Sequence, residues 1–276
     1  MYRLQSIPKR LSLIADAAKA SSIVPQLMRC HEIGFDSEGH NIGRFGKLSL
    51  VQISTPDCIY ICDCLQPDVL KSIAPVLKSD KVTKVMHDCR EDLSNLYHEH
   101  KIFVKNVWDL QVAYKTFHNN FLASLEHVRR DLLGSTAPIE TVESQMQKDS
   151  NLWLYRPVTK KLIEYAVDGV ADILLLKDKI GIELEKDVME SYLNYRMINL
   201  NIRKQSDLRS VGLKVKGMLT AITPSNLVFK LNSGIVGLVS GISNVSLFED
   251  VKIGQIVDCT VTGWNDTHDA IFLQRA

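Results

Sequence analysis

Between residue 10 and about residue 180, short apolar runs alternate with segments of helical spacing, and from Val211 onward the helical spacing gives way to a strand-like texture. Apolar faces of two periods need different partners, so such a chain folds as two bodies with two cores. In the first region His31–Phe35, Leu48–Ile53, Ile59–Cys62 and Val82–Met86 are candidate strands. Pro67–Leu77, Glu91–His98, Leu110–Phe117, Leu122–Leu132 and Val158–Leu176 carry helical spacing. Asp109 is placed to cap the helix that starts at Leu110, and Gly134 to stop the one before it. Strands followed by strands interleaved with helices predict an α/β domain with a mixed sheet.

A further helix is expected over 183–201, and the basic polar run Arg203–Arg209 then leads into the second texture. Lys214–Leu219, Leu227–Leu231, Ile235–Val239, Ile256–Val261 and Ala270–Leu273 are short strands punctuated by glycine. Five strands in so short a span predict a small closed barrel of the oligonucleotide-binding (OB) type. The expected division is therefore a domain over 1–205 and a barrel over 210–276.

The 276 residues carry 33 Lys+Arg against 32 Asp+Glu, which excludes a binder driven by net positive charge but leaves nucleic acid as a local ligand. No apolar run reaches the ~20 residues that cross a bilayer. Basic residues dominate the first 29 positions, yet Arg10–Ile14 and Ala17–Met28 read as a strand and a helix of the domain rather than as a leader, and the expected compartment is cytoplasm or nucleus. The six cysteines have no finger-like spacing, so buried reduced thiols are expected.

The strongest local signal is Ile33-Gly-Phe-Asp-Ser-Glu-Gly39. Residues two apart on a strand share a face, so Asp36 and Glu38 point together, and a divalent cation such as Mg²⁺ or Mn²⁺ would relieve their repulsion. A solvated strand end is the competing reading.

With the following Gly43–Gln52, these two acids resemble the first motif of the DEDD 3′–5′ exonuclease family, which includes ribonuclease D. Lys84–Leu93, with Asp92 at the acidic position, resembles the second motif. Val107–Ala113 and Trp153–Thr159 are similar to the branch containing Egalitarian, plant exonuclease–KH proteins and the exonuclease-like adaptors of the piRNA pathway. The resemblance spans roughly 10–200 and implies a ribonuclease H-like mixed sheet. It also implies catalysis by four carboxylates and two metal ions ~3.5–4 Å apart, with a tyrosine orienting the attacking water. Asp36, Glu38, Asp92 and Tyr165 stand at catalytic positions, the first three as metal ligands.

The third motif normally reads Tyr-x-x-x-Asp, but here Tyr165 is followed four residues later by Gly169. On one straight helix Asp168 lies about 100° round from the required direction, and Asp172 faces nearly the right way but ~4.5 Å further along. Three carboxylates and a glycine leave one metal under-coordinated. The expectation is an RNA-processing adaptor of exonuclease fold with weak or absent catalysis. The alternative is an active two-metal 3′–5′ exoribonuclease using Asp172 or Asp168.

Arg44 and Lys47 flank the first-motif turn and are candidate phosphate contacts, with a solvated hairpin as the alternative. Residues Val211–Gln274 resemble an S1 RNA-binding motif whose usual surface aromatics are mostly missing, leaving Phe229 and Trp264 as candidate base contacts. Single-stranded RNA is the expected partner, with protein partners of an RNA-processing complex implied by the resemblance. A protein-binding or dimer-supporting barrel is the competing reading, which allows a homodimer.

Overall fold

The computed structural model describes residues 10–43, 45–118, 123–134, 142–181, 210–231, 236–253, 255–265 and 270–276. The candidate helix at 183–201, Arg44 and the expected boundary at 205–209 lie outside the described residues. The chain divides into two compact units, Met1–Ile42 with Gly46–Leu184 and Glu185–Ala276 with Gly43–Phe45. Among the described residues no helix is long and apolar enough to cross a membrane.

The first unit is a six-stranded sheet in the order β1-β4-β3-β2-β5-β6, formed by β1 (Arg10–Ile14), β2 (Glu32–His40), β3 (Lys47–Ser54), β4 (Cys58–Asp63), β5 (Thr83–Met86) and β6 (Val107–Asp109). Only β3 runs against its neighbours; β1 pairs parallel with β4, and β5 parallel with both β2 and β6. The expected strand His31–Phe35 continues to His40, because Asp36 and Glu38 keep pairing across to Gln52 and Leu50 of β3. An apolar-run criterion ends the strand where its side chains turn polar, although the ladder does not.

Helices α1 (Ala17–Leu27), α2 (Val69–Lys78), α3 (Arg90–His98), α4 (Leu110–His118), α5 (Leu125–Leu133), α6 (Glu143–Lys148), α7 (Lys160–Val170) and α8 (Ile173–Ile180) surround the sheet. Asp109 caps α4 as expected: its carboxylate accepts from the Gln111 amide at 2.8 Å and also from the Cys89 amide at 2.7 Å. Gly134 ends α5 in the left-handed conformation, φ 64°. Thr159 caps α7, whose Leu162, Ala166 and Val170 recur at i, i+4 and i+8 and pack on Leu50, Ile59, Ile61 and Trp153. Trp153 is therefore a core residue, 1% exposed.

The expected single helix over Val158–Leu176 is broken between α7 and α8. Asp172, the residue before α8, has φ −120° and makes no side-chain capping bond. Gly34 lets α8 reach the sheet beside Asp36, since a Cβ there would lie 2.5 Å from the Ile173 side chain and 2.3 Å from the Ser54 hydroxyl.

The second unit is a closed barrel of β7 (Lys214–Ile222), β8 (Asn226–Lys230), β9 (Val236–Ser240), β10 (Ile256–Trp264) and β11 (Ala270–Arg275), ordered β10-β11-β9-β8-β7. A β7-β8-β9 meander, a parallel β9–β11 pair and closure of β10 on β7 give an OB-like topology. A short helix α9 (Ile242–Val245) and a 3-10 turn (Ser246–Phe248) join β9 to β10. Phe248 packs in the core against Phe229, with ring centroids 5.4 Å apart. Phe229 is 0% exposed, which corrects its assignment as a base contact: in β8 it faces inward, and burial outweighs any surface role. Trp264 stays on the surface at 37% exposed. The six cysteines are all free, four of them buried.

Candidate functional site

A cleft of about 510 Å³ opens where β2, α5 and α7 meet, lined by Asp36, Glu38, Tyr165, Asp168, Gly169 and Arg129 among others. Strand alternation puts Asp36 and Glu38 on one face of β2, the face that α7 covers. Tyr165 and Gly169 are one helical turn apart on the cleft side of α7. A Cβ at position 169 would sit 2.5 Å from Asp36 Oδ2 and 3.9 Å from Asp36 Cβ. The position where a fourth acid is absent therefore lies directly against the first-motif aspartate.

Asp92 enters from α3, 8% exposed, and its carboxylate accepts a hydrogen bond from the Ser37 hydroxyl. Burial pushes the Asp36 carboxyl up to about 6, against the pull of the Ser37 amide and Arg129. Burial, reinforced by the charges of Asp36 and Asp92, holds Glu38 well above the usual carboxylate range. Burial and the Asp36 charge do the same to Asp92. The three carboxylates thus feel one another strongly.

Arg129 is the residue that reading the sequence missed. It is 5% exposed on α5, and its guanidinium is spent on the α7–α8 junction. Nε donates to both Asp172 oxygens at 3.0 and 3.1 Å, Nη1 to Asp168 Oδ2 at 2.7 Å, and Nη2 to Asp172 Oδ1 at 2.8 Å and to the Asp168 carbonyl. The local sequence builds this placement. His87 Nε2 and Gln111 Nε2 both donate to the Ala123 carbonyl, at 2.9 and 3.2 Å, which fixes the chain just before α5. Ser124 then caps α5 through the His127 amide. An arginine beside Val128 on the buried face of α5, and two aspartates four apart lacking a partner, were the available signals.

This changes the reading of the two substitute acids. A straight helix turned Asp168 away and Asp172 toward the site. The break after Val170 and the pull of Arg129 leave Asp168 on the cleft wall, while Asp172 is not among the residues that line it. Asp88 also lines the cleft and is held by Arg90, at 2.7 Å from Nη2 to Oδ2. Lys47 is exposed at the start of β3, opposite His40 and away from the cleft lining.

Two metal ions need four well-placed acids, and these residues do not fit that requirement. Position 169 offers no ligand, and Asp168 and Asp172 are committed to Arg129. Among the described residues no three His, Cys, Asp or Glu side chains are gathered to hold a metal ion.

The chain's relatives agree with its fold. A 3′–5′ exonuclease family matches residues 11–185. The chain is 28% identical to the piRNA biogenesis protein EXD1 of Mus musculus over 178 residues, covering 57% of this chain and 31% of that protein. It is 31% identical over 137 residues to the Egalitarian protein homolog of Caenorhabditis elegans, covering 45% and 24%. Ribonuclease D of Nitrobacter hamburgensis is 26% identical over 173 residues, covering 61% and 42%. The chain thus spans less than half the length of these relatives. The crystal structure of Trypanosoma brucei RNase D superposes with a TM-score of 0.63 at 22% identity, over 72% of this chain and 75% of that one, which is a likeness of fold. From the match over 11–185 and the sheet and cleft that carry it, the chain belongs to the 3′–5′ exonuclease family.

Proposed function

We propose that this chain is an RNA-processing protein that uses an exonuclease fold to hold single-stranded RNA and has lost two-metal cleavage. The observation that carries the reading is Gly169 against Asp36, where a metal-binding acid is missing at the centre of the cleft. The alternative, cleavage with Asp168 or Asp172 as a shifted ligand, requires one of them to leave Arg129, which grips both. Asp36, Glu38, Asp92 and Tyr165 are in this reading the remains of the catalytic set, and Mg²⁺ or Mn²⁺ is not required for binding.

RNA as the ligand is supported by the relatives, which are named for ribonuclease D and piRNA biogenesis. The barrel, S1-like in its sequence pattern, supplies a second RNA contact through Trp264 on its rim. Its charge is too balanced to bind by electrostatics alone, because Lys216 pairs with Asp258 and Arg275 with Asp250. Protein partners in an RNA-processing complex fit the same relatives.

The test compares wild type with Gly169→Asp on 5′-labelled single-stranded RNA in Mn²⁺ and in EDTA. Wild type is expected to bind RNA equally in both and to leave it full length. Gly169→Asp supplies the missing acid and is expected to gain slow 3′ trimming in Mn²⁺, limited because the new side chain must displace the Asp36 carboxylate and because Arg129 still lines the cleft. Binding that collapses in EDTA contradicts the reading.

A further inference from the structure

The cleft is rich in acid: Asp36, Glu38, Asp88, Glu126 and Asp168 line it, and Arg129 is the one lysine or arginine among its lining residues. Asp36, Glu38, Asp88 and Asp168 are half-buried and Glu126 is exposed, and crowding that much like charge into one cleft favours a nearby cation. In the resembled catalytic sites the cation is a pair of divalent ions; here a guanidinium stands among the acids. Its Nε, Nη1 and Nη2 all donate, to two carboxylates and one carbonyl, so its position at the cleft wall is fixed by charge-assisted hydrogen bonds.

The helix break records what this grip does. Asp is among the best capping residues, yet Asp172 precedes α8 without capping it, because its carboxylate is turned to Arg129. Leu176 still takes the Asp172 carbonyl at 2.9 Å, so α8 starts from the same residue. Arg129 thus costs the helix a cap and in return fixes both α7–α8 acids. Its charge also reaches Asp36 and opposes the rise caused by burial.

Resting on the non-catalytic reading above, we infer that Arg129 is a resident cation that replaces the divalent metal of this cleft and keeps metal out. An arginine stays charged at every working pH and is not removed by chelators. A metal ion entering the cleft meets its positive charge at close range and finds the α7–α8 acids already taken.

Thermal melting of the full chain in EDTA and in millimolar Mn²⁺ tests this. Wild type is expected to melt at the same temperature in both. Arg129→Met leaves Asp168 and Asp172 uncompensated; it is expected to melt lower in EDTA and to recover by about 2–4 °C in Mn²⁺ held about fivefold above Kd. Arg129→Lys keeps a charge in place and is expected to stay indifferent to metal. Stabilisation of wild type by Mn²⁺ overturns the inference, as does an Arg129→Met protein that folds and ignores metal. Should Arg129→Met fail to fold, calorimetric titration of Mn²⁺ into wild type decides, saturable binding overturning the inference and its absence supporting it. A wild type that binds Mn²⁺ yet leaves RNA intact sinks this inference alone, whereas one that trims RNA sinks the non-catalytic reading.

Discussion

Gly169 sits inside α7, where propensity alone favours alanine by about 1 kcal/mol, but a Cβ at this position would lie 2.5 Å from Asp36 Oδ2. The sequence pattern alone located it, since Tyr165 and the flanking motifs set the spacing. What the pattern did not contain is the reach of Arg129, which pairs with residues 39 and 43 positions away. Local periodicity carries no record of such a contact. From the sequence, Asp168 and Asp172 consequently read as candidate substitute ligands. At the same scale, the raised carboxyls make a pH prediction. Asp36 holds its proton up to about 6 in the folded state, against 3.8 ordinarily. Between those values the folded chain binds a proton that the unfolded chain releases, so folding stability declines as pH rises through that window. Burial raises Glu38 and Asp92 in the same direction. Asp36→Asn is therefore expected to raise the Tm at pH 8 and to change it little at pH 4.5. A gain confined to acid pH contradicts the assignment.

At the scale of elements, the order of strands and helices in the first unit was readable, because apolar runs and helical faces alternate there. Four features were not, the first being helix α6 (Glu143–Lys148), a short polar stretch with no apolar period to announce it. The strand β6 is three residues long, too short for any period. The polar half of β2 is held by its ladder with β3 rather than by apolar burial. The α7–α8 break follows from tertiary pairing with Arg129. The approach to α7 is fixed by another arginine. Arg156 donates to both Asp63 oxygens at 2.8 and 2.6 Å, to the Ser49 hydroxyl at 2.9 Å and to the Trp153 carbonyl at 2.9 Å, tying 153–157 to β3 and β4. Arg156→Ala strands a part-buried carboxylate, and a loss of about 2–3 kcal/mol is expected in denaturant unfolding. A loss below ~0.5 kcal/mol shows that the network is a surface decoration.

For the whole molecule, the change of period predicts two cores with a boundary at 205–210; the described residues hold an apolar cluster in each unit, while the units themselves divide at Leu184 and Glu185. The barrel's strands were legible from β-branched runs between glycines, but which face each aromatic took was not. Phe229 alternates correctly for either face, and barrel closure turned it inward. Phe229→Ala is expected to cost about 3–5 kcal/mol, read as an earlier barrel transition in thermal melting. Trp264→Ala is expected to leave that transition in place and to weaken single-stranded RNA binding by about 5–150-fold, the worth of one stacked base. The proposed pairing of this fold with lost chemistry is tested most directly by incubating wild type with 5′-labelled single-stranded RNA and Mn²⁺. The expected result is RNA that stays full length while bound. Progressive 3′ shortening, abolished by Asp36→Ala, is the result that contradicts it.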